Sequence, residues 1–323
     1  MNKPIMEVQG LKKHFPIADT VPFKSSKMAV KAVDGIDFDL YKGETFGIVG
    51  ESGCGKSTLA RLINQLITPT SGTVNFNGVD LAKLSQKEIR SARKSIQMVF
   101  QNPDASLDPR KKIDYLISEP LKIHNIGTKE ERKQKVVDLL STVGMSAYHA
   151  ERYPHEFSGG QKQRINIARA LALNPDVVIC DEPVSALDVS IQAQVINLLK
   201  RLQKEFDLTY IFISHDLNVV RYICDRIAVM YLGRIVEIGT FDQIYQNPKH
   251  PYTKALLSAI PKESPFDKKE RTVLNGDLPS PVNPPNGCHF HTRCPFAMEK
   301  CKQESPILQS VNQGHSVSCF LHE

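Results

Sequence analysis

Short apolar runs alternate with segments of helical periodicity along the first 260 residues of the chain. Runs rich in β-branched and aromatic residues predict strands at residues 45–49, 96–100, 177–180, 210–213 and 227–232. In residues 190–206 the apolar positions return every three or four residues, which predicts an amphipathic helix. Thr128 and Glu131 have the spacing of a capping box before another helix. The alternation predicts an α/β domain whose largely parallel sheet is covered on both faces.

Two regions depart from this alternation. Residues 102–157 carry few strand signals and much helical periodicity, which predicts a helical insertion within a helical subdomain at about 102–175. Residues 261–287 contain six prolines and are typical of an extended linker. We therefore predict one large domain over residues 1–260 and a small cysteine-rich domain within residues 261–323.

Composition and charge exclude several classes of protein. The 323 residues are 41% hydrophobic, and 41 Lys and Arg against 35 Asp and Glu give a net charge of +6. This excess is too small to indicate a nucleic-acid-binding protein. No stretch approaches the roughly 18 apolar residues of a membrane-spanning helix, and the N-terminus has no secretory signal pattern. We therefore expect a protein in the cytosol or on the cytosolic side of a membrane.

The strand at 45–49 leads into a phosphate-binding pattern. Residues 50–57, GESGCGKS, fit G-x-x-x-x-G-K-[ST] and precede a helical segment, which is the structural context that this motif requires. Glycines let backbone N–H groups surround phosphate oxygens, and the helix N-terminus adds positive partial charge. Lys56 is expected to contact the β- and γ-phosphates, and the Ser57 hydroxyl to bind Mg²⁺. The predicted ATP-binding residues here are Gly50, Glu51, Ser52, Gly53, Cys54, Gly55, Lys56, Ser57 and Thr58.

The strand at 177–180 ends in two carboxylates, Asp181 and Glu182. An acidic pair at the end of a strand is usually a solvated turn, but beside a phosphate loop it indicates catalysis. Mg²⁺ bound to phosphates prefers oxygen ligands and keeps water in its shell, so Asp181 is expected to hold the ion. Glu182 is predicted to orient or deprotonate the attacking water.

A second anion-binding pattern lies about twenty residues before the acidic strand. Residues 157–164, FSGGQKQR, place Ser-Gly-Gly at a predicted helix start. This segment resembles the L-S-G-G-Q signature of the ATP-binding cassette family, with Phe157 in place of Leu. The resemblance implies that two cassettes pair head to tail, so that each ATP binds a phosphate loop and the partner's signature. The signature residues are Ser158, Gly159, Gly160 and Gln161.

Further positions match the family in order along some 170 residues. Gln101 resembles the glutamine that senses Mg²⁺, and we assign it to the metal site and to catalysis together with Glu182. His215 resembles the switch histidine that contacts the γ-phosphate, and Asp188 resembles the acid of the dimer-contact loop. Phe15 is the candidate for the aromatic ring that stacks on adenine, although residues 16–30 look like an insertion. The implied fold is a P-loop NTPase cassette with a RecA-like core, an antiparallel β subdomain and a helical insertion.

The last quarter of the chain indicates the branch of the family. Residues 250–261, HPYTKALLSAIP, resemble the C-terminal segment of dipeptide and oligopeptide importer ATPases, a branch that also includes importers of nickel and other small solutes. Four cysteines follow, and in a reducing compartment they favour a metal site over disulfides. The alternatives are zinc, an iron–sulfur cluster or thiols without a metal, and the resemblance implies a [4Fe–4S] cluster. The four are Cys288, Cys294, Cys301 and Cys319. We expect a serine at Cys294 to remove the cluster's colour and leave ATP binding largely intact.

The resemblance implies an ATP-hydrolysing importer subunit that acts peripherally on the cytoplasmic face of the cell membrane. Its implied partners are two transmembrane permease subunits, a second and non-identical ABC ATPase, and an extracytoplasmic solute-binding protein, with no nucleic acid. DNA-repair and chromosome-structuring cassettes separate the phosphate loop from the signature by a long coiled coil. This class is excluded because Ser57 and Ser158 are only 101 positions apart. Translation-factor members carry two cassettes in one chain, whereas this chain has one. Exporters often fuse the cassette to membrane helices, which this sequence does not predict. A sensor that no longer hydrolyses ATP is disfavoured by Glu182 and His215.

Overall fold

The computed structural model describes residues 3–17, 28–259 and 276–323. The chain divides into two compact units. The first unit comprises the described residues within Met1–Tyr41, Thr45–Lys83 and His215–Glu323, and the second unit comprises Lys42–Glu44 and Leu84–Ser214. Each unit is therefore assembled from segments that are far apart in the sequence.

Twelve strands and eleven α-helices are present in the described residues. The strands are β1 (Met6–Pro16), β2 (Ala29–Leu40), β3 (Thr45–Val49), β4 (Ser71–Phe76), β5 (Val79–Asp80), β6 (Ile96–Val99), β7 (Val177–Asp181), β8 (Thr209–Ser214), β9 (Arg226–Tyr231), β10 (Arg234–Thr240), β11 (Gln309–Asn312) and β12 (His315–Val317). The helices are α1 (Lys56–Ile63), α2 (Gln86–Ala92), α3 (Pro103–Ser106), α4 (Ile113–Ile123), α5 (Lys129–Thr142), α6 (Gly159–Leu171), α7 (Val189–Phe206), α8 (Leu217–Arg221), α9 (Phe241–Gln246), α10 (Pro251–Ser258) and α11 (Glu299–Gln303).

The first unit contains an antiparallel sheet in the order β2-β1-β4-β5. Its register places Met6 opposite both Leu40 and Phe76, and Met6 and Leu11 are fully buried. The same unit contains five further strands in the order β11-β12-β10-β9-β3. There β3 is parallel to β9, while β10 pairs with β9 and β12 in antiparallel fashion. All five residues of β3 are buried, as expected for a central parallel strand that ends in a loop.

The second unit is built on parallel strands in the order β8-β7-β6. Every element described between β6 and β7 is helical, which confirms the predicted helical insertion. The capping box at α5 is also present, since Thr128 Oγ1 accepts from the Glu131 N–H at 3.2 Å and Glu131 Oε2 accepts from the Thr128 N–H at 2.6 Å. Helix α7 buries the apolar face that its periodicity predicts, including Val195, Leu199 and Leu202.

The five predicted strands are confirmed to within about one residue at each end. The insertion predicted at 16–30 falls largely outside the described residues, and so does the linker predicted at 261–287 as far as position 275. Residues 276–287 form no helix or strand. Strands β11 and β12 were not predicted, and through β12 they join β10 in the first unit. The boundary at 260/261 and a separate cysteine-rich domain remain predictions.

Candidate ATP site

The phosphate loop connects β3 to α1 through residues 50–55. Gly55 has a φ of 108° and is the N-cap of α1, and a Cβ there would lie 2.0 Å from the carbonyl oxygen of Ala32. A Cβ at Gly50 would lie 2.2 Å from the carbonyl oxygen of Met230. Both contacts are with backbone that cannot yield, so these two glycines are required for the loop to close on its surroundings.

Lys56 lies within this loop and not on the protein surface, since its exposure is only 4%. Its Nζ donates to the carbonyl oxygens of Gly50 at 2.8 Å and Glu51 at 3.0 Å. The ammonium group therefore lies at the start of the loop, on oxygen atoms that phosphate oxygens can replace. Ser57 and Thr58 follow in the first turn of α1 and are partly exposed.

The acidic strand β7 and the predicted Mg²⁺-sensing glutamine belong to the second unit. Asp181 ends β7 and is buried, and Glu182 follows with a φ of 46°. A left-handed conformation is uncommon outside glycine and indicates a constrained position. The Glu182 N–H donates to the carbonyl oxygen of Ile213 at 3.0 Å. Gln101 Nε2 donates to Glu182 Oε2 at 2.7 Å, so the structure brings together two residues assigned to catalysis.

The signature segment begins α6, also in the second unit. Ser158 is the N-cap, its Oγ accepts from the Gln161 N–H at 3.4 Å, and Gln161 Oε1 accepts from the Ser158 N–H at 3.0 Å. A Cβ at Gly160 would lie 2.4 Å from Cγ2 of Ile191, so the glycine allows α6 to approach α7 closely. Asp188 is the N-cap residue of α7, and its carbonyl oxygen accepts from the Gln192 N–H at 2.8 Å.

His215 and Phe15 belong to the first unit. His215 is exposed and directly follows β8, one residue before the N-cap Asp216 of α8. Phe15 lies on β1 opposite Val30, and its exposure is 37%. The Nζ of Lys13 lies 5.1 Å from the centre of the Phe15 ring. Phe15 is thus an exposed aromatic residue next to a cation, which is compatible with its predicted role at the adenine base. The roles of all these residues remain predictions.

The four C-terminal cysteines do not form a site for a single metal ion. Within residues 3–17, 28–259 and 276–323, no three His, Cys, Asp or Glu side chains are grouped as ligands of one ion. Burial, with smaller contributions from the neighbouring thiols of Cys301, Cys319 and Cys294, raises the pKa of the Cys288 thiol to about 11. The thiols are therefore close enough to influence one another, but the structure does not support the predicted metal. His289 Nδ1 lies 3.3 Å from the carbonyl oxygen of Leu232.

Two residues that no motif marked as functional contact the phosphate loop. The hydroxyl oxygen of Tyr252 accepts from the Glu51 N–H at 2.9 Å. The guanidinium group of Arg293 binds the Glu51 carboxylate at 2.9 and 3.2 Å. Tyr252 lies in the segment that resembles peptide-importer ATPases, which was the available signal for it. Arg293 directly precedes Cys294, and no spacing pattern connects it to residue 51.

Among the described residues, no helix combines the length and apolar character needed to cross a membrane.

The family described as ABC transporter matches residues 33–185. The family described as oligopeptide/dipeptide transporter, C-terminal region, matches residues 236–301. In solved structures, the ATP-binding cassette MJ0796 in a dimeric post-hydrolysis state bound to ADP and Pi is similar, with 29% identity and a TM-score of 0.64. That similarity covers 73% of this chain and 98% of the other.

Relatives of known name match over nearly the whole length. The oligopeptide transport ATP-binding protein AppF of Bacillus subtilis is 56% identical over 321 residues, which cover 98% of this chain and 97% of that protein. The dipeptide transport ATP-binding protein DppF of Escherichia coli is 51% identical over 320 residues, which cover 99% and 95% respectively. The chain therefore belongs to the ABC-type ATPases of the oligopeptide and dipeptide transporter family.

Proposed function

We propose that this chain hydrolyses ATP to drive the uptake of dipeptides or oligopeptides through separate permease subunits. The observation that supports this most directly is the full-length identity of 51–56% to relatives named for peptide transport. The second support is the presence in one chain of both family regions, the cassette at 33–185 and the transporter C-terminal region at 236–301.

The proposed chemistry assigns a role to several side chains and backbone groups of this chain. The phosphate loop binds the triphosphate through backbone N–H groups and Lys56. Glu182 accepts the proton of the attacking water, and the hydrogen bond from Gln101 Nε2 orients its carboxylate. His215 contacts the γ-phosphate, and Phe15 stacks on the adenine. These roles follow from the family resemblance.

The proposed Mg²⁺ ligands are Ser57, Gln101 and Asp181. Their hydroxyl, amide and carboxylate oxygens are the donors that Mg²⁺ prefers, so the residues fit the ion. In the structure Gln101 directs its Nε2 toward Glu182, which leaves Oε1 as its metal-binding atom. When bound, Mg²⁺ neutralises negative charge on the β- and γ-phosphates.

The proposed assembly contains two cassettes, two permease subunits and an extracytoplasmic solute-binding protein. In this assembly Ser158, Gly159, Gly160 and Gln161 of one cassette face the ATP of the other, and Asp188 lies at the dimer contact. We propose a non-identical second ATPase as the partner. The chain would then associate with the inner side of the membrane through its permeases.

We also propose a [4Fe–4S] cluster on Cys288, Cys294, Cys301 and Cys319. The proposal rests on the family resemblance and on a donor set of four cysteines within the last 36 residues. Anaerobic purification followed by metal analysis tests this proposal. About four irons per chain and absorption near 400 nm would support it, while zinc or no metal would refute it.

Uptake into proteoliposomes tests the proposed function. The chain is reconstituted with its permeases, its partner ATPase and the solute-binding protein, and labelled peptides of two to five residues are supplied with or without ATP inside. We expect ATP-dependent peptide accumulation that is lost with Lys56→Ala. Labelled nickel is the matched control, and ATP-dependent uptake of nickel without uptake of any peptide would refute the peptide assignment.

A further inference from the structure

In the cysteine-rich segment, Arg293 contacts the phosphate loop. Arg293 Nη1 donates to Glu51 Oε2 at 2.9 Å, and Arg293 Nη2 donates to Glu51 Oε1 at 3.2 Å. The two side chains are 9% and 26% exposed. This is a bidentate pair, the strong geometry for a guanidinium and a carboxylate. It joins positions 242 residues apart, one in the phosphate loop and the other in the cysteine-rich segment.

The backbone of Glu51 is held by the same part of the first unit. Its N–H donates to the hydroxyl of Tyr252, which is fully buried on α10. The Tyr252 ring lies 4.7 Å from the ring of Tyr231 and 5.4 Å from that of Phe290. Glu51 is therefore fixed at its backbone by a packed aromatic cluster and at its carboxylate by Arg293. A loop that is already ordered loses less conformational entropy when it binds a ligand.

The charge of Glu51 gives Arg293 a specific task. The phosphate loop binds a polyanion, and a carboxylate in that loop opposes the negative charge of the phosphates. The other cation of the loop is Lys56, whose Nζ already lies 3.0 Å from the Glu51 carbonyl oxygen. Without Arg293 the Glu51 carboxylate would be an uncompensated negative charge in a loop that binds a polyanion. With Arg293 present, the carboxylate is neutralised by a group outside the loop.

The surroundings of Arg293 indicate that its side chain serves to pair with Glu51. Arg293 Nε is buried without a hydrogen-bond partner in the described residues, which is unfavourable for stability. A buried donor without a partner calls for a specific explanation. The pairing with Glu51 supplies one, because in this orientation both Nη atoms donate to the carboxylate.

We infer that Arg293 is a positioning residue for ATP binding, which holds the Glu51 carboxylate away from the nucleotide and couples the C-terminal segment to the phosphate loop. The inference rests on the proposed binding of ATP at this loop. Arg293 is adjacent to Cys294 in the sequence, so the pair also places the cysteine-rich segment next to the phosphate loop.

A double-mutant cycle in the full-length chain tests the inference. Arg293→Gln, Glu51→Gln and the double variant are compared for MgATP affinity, for the KM and kcat of ATP hydrolysis, and for melting temperature. Removing one partner of a largely buried charge pair leaves the other uncompensated, so we expect Arg293→Gln to raise KM and Kd about tenfold or more with kcat nearly unchanged. In the Glu51→Gln background the same substitution should change KM by less than about twofold. Lys302→Gln, which removes the exposed pair of Lys302 and Glu299 in the same segment, is the control and should leave KM unchanged.

Two results would overturn the inference. One is an unchanged KM in Arg293→Gln when the wild type hydrolyses ATP normally. The other is an equal loss of activity and melting temperature in the single and double variants, since that would mean the arginine only stabilises the fold. A wild-type chain with its partners that neither binds nor hydrolyses ATP would instead refute the proposed function. The failure of the inference and that of the function are therefore distinguishable.

Discussion

Replacement of His250 by asparagine should remove a large part of the acid sensitivity of the fold. His250 is 1% exposed, and its Nδ1 accepts from the Tyr252 N–H at 3.1 Å, as a neutral ring nitrogen can. Burial lowers the pKa of His250 from 6.5 to about 3, with smaller contributions from the positive charges of His322 and Lys254. The folded protein therefore resists protonation at a position where the unfolded chain accepts a proton readily.

The sign and the size of the effect follow from this difference in pKa. Below pH 6.5 the unfolded chain binds the proton and the folded chain does not, so the free energy of unfolding falls as the pH falls toward 3. Each pH unit well below 6.5 costs about 1.4 kcal/mol. Between pH 6.5 and pH 5, His250 should account for a loss of about 1.6 kcal/mol. Its contribution becomes independent of pH only above about pH 7.5, where the unfolded chain no longer binds the proton.

Urea unfolding of the wild type and His250→Asn at pH 6.5 and pH 5 measures this contribution. Asparagine is a good N-cap residue and keeps a hydrogen-bond acceptor for the Tyr252 N–H, but it does not titrate. The loss of stability between the two pH values should be about 1.6 kcal/mol smaller in the variant. The comparison uses the change in the free energy of unfolding between the two pH values within each protein. A change in packing against Phe290 alters both values equally and therefore cancels. The exposed His155→Asn is the control and should retain the wild-type loss. An equal pH dependence in His250→Asn and the wild type would refute the reasoning, because His250 would then be protonated in the fold.

Two further predictions concern the first unit. Burial alone would raise the pKa of Asp34, but hydrogen bonds and charge from Arg234 and His14 lower it to about 2, so its contribution is present above pH 4 and is lost as the pH falls from 4 toward 2. Asp34→Asn should therefore lower the free energy of unfolding at pH 7 by about 1–2 kcal/mol, after allowance for the partial exposure of Arg234, with little change at pH 2; a loss of equal size at both pH values in urea unfolding would contradict this. Gly55→Ala should abolish MgATP binding in equilibrium titration, since its Cβ would lie 2.0 Å from the Ala32 carbonyl oxygen at a φ of 108°. ATP affinity within about tenfold of the wild type would show that the loop can adjust.

Local patterns predicted the strands and the phosphate loop because their signals are local. The strand predicted at 45–49 is observed as Thr45–Val49, and the loop follows it directly. The strand predicted at 177–180 continues to Asp181, because that residue also pairs with Ile213 in the parallel ladder. Spacing alone could not show this last step, since a carboxylate at a strand end is usually solvated.

Long-range contacts and polar strands were beyond prediction from the sequence. Strands β11 and β12 contain Gln309, Ser310 and His315, and such polar residues give no apolar alternation. The pairing of β12 with β10 joins positions more than 70 residues apart, as the register of Glu237 against Val317 shows. The contact of Arg293 with Glu51 is longer still, and it depends on the folded position of the C-terminal segment. The hydrogen bond of Gln101 to Glu182 likewise joins two motifs that the sequence treats separately.

The assignment of Glu182 as the general base is the central claim about activity. Glu182→Gln keeps the size of the side chain and removes its ability to accept a proton. Hydrolysis of MgATP by the assembled wild-type and variant complexes, measured with light scattering of the ATP-bound cassettes, tests the claim. We expect hydrolysis to fall by about a hundredfold or more while ATP is retained and the cassettes stay paired. Hydrolysis at the wild-type rate in Glu182→Gln would contradict the account.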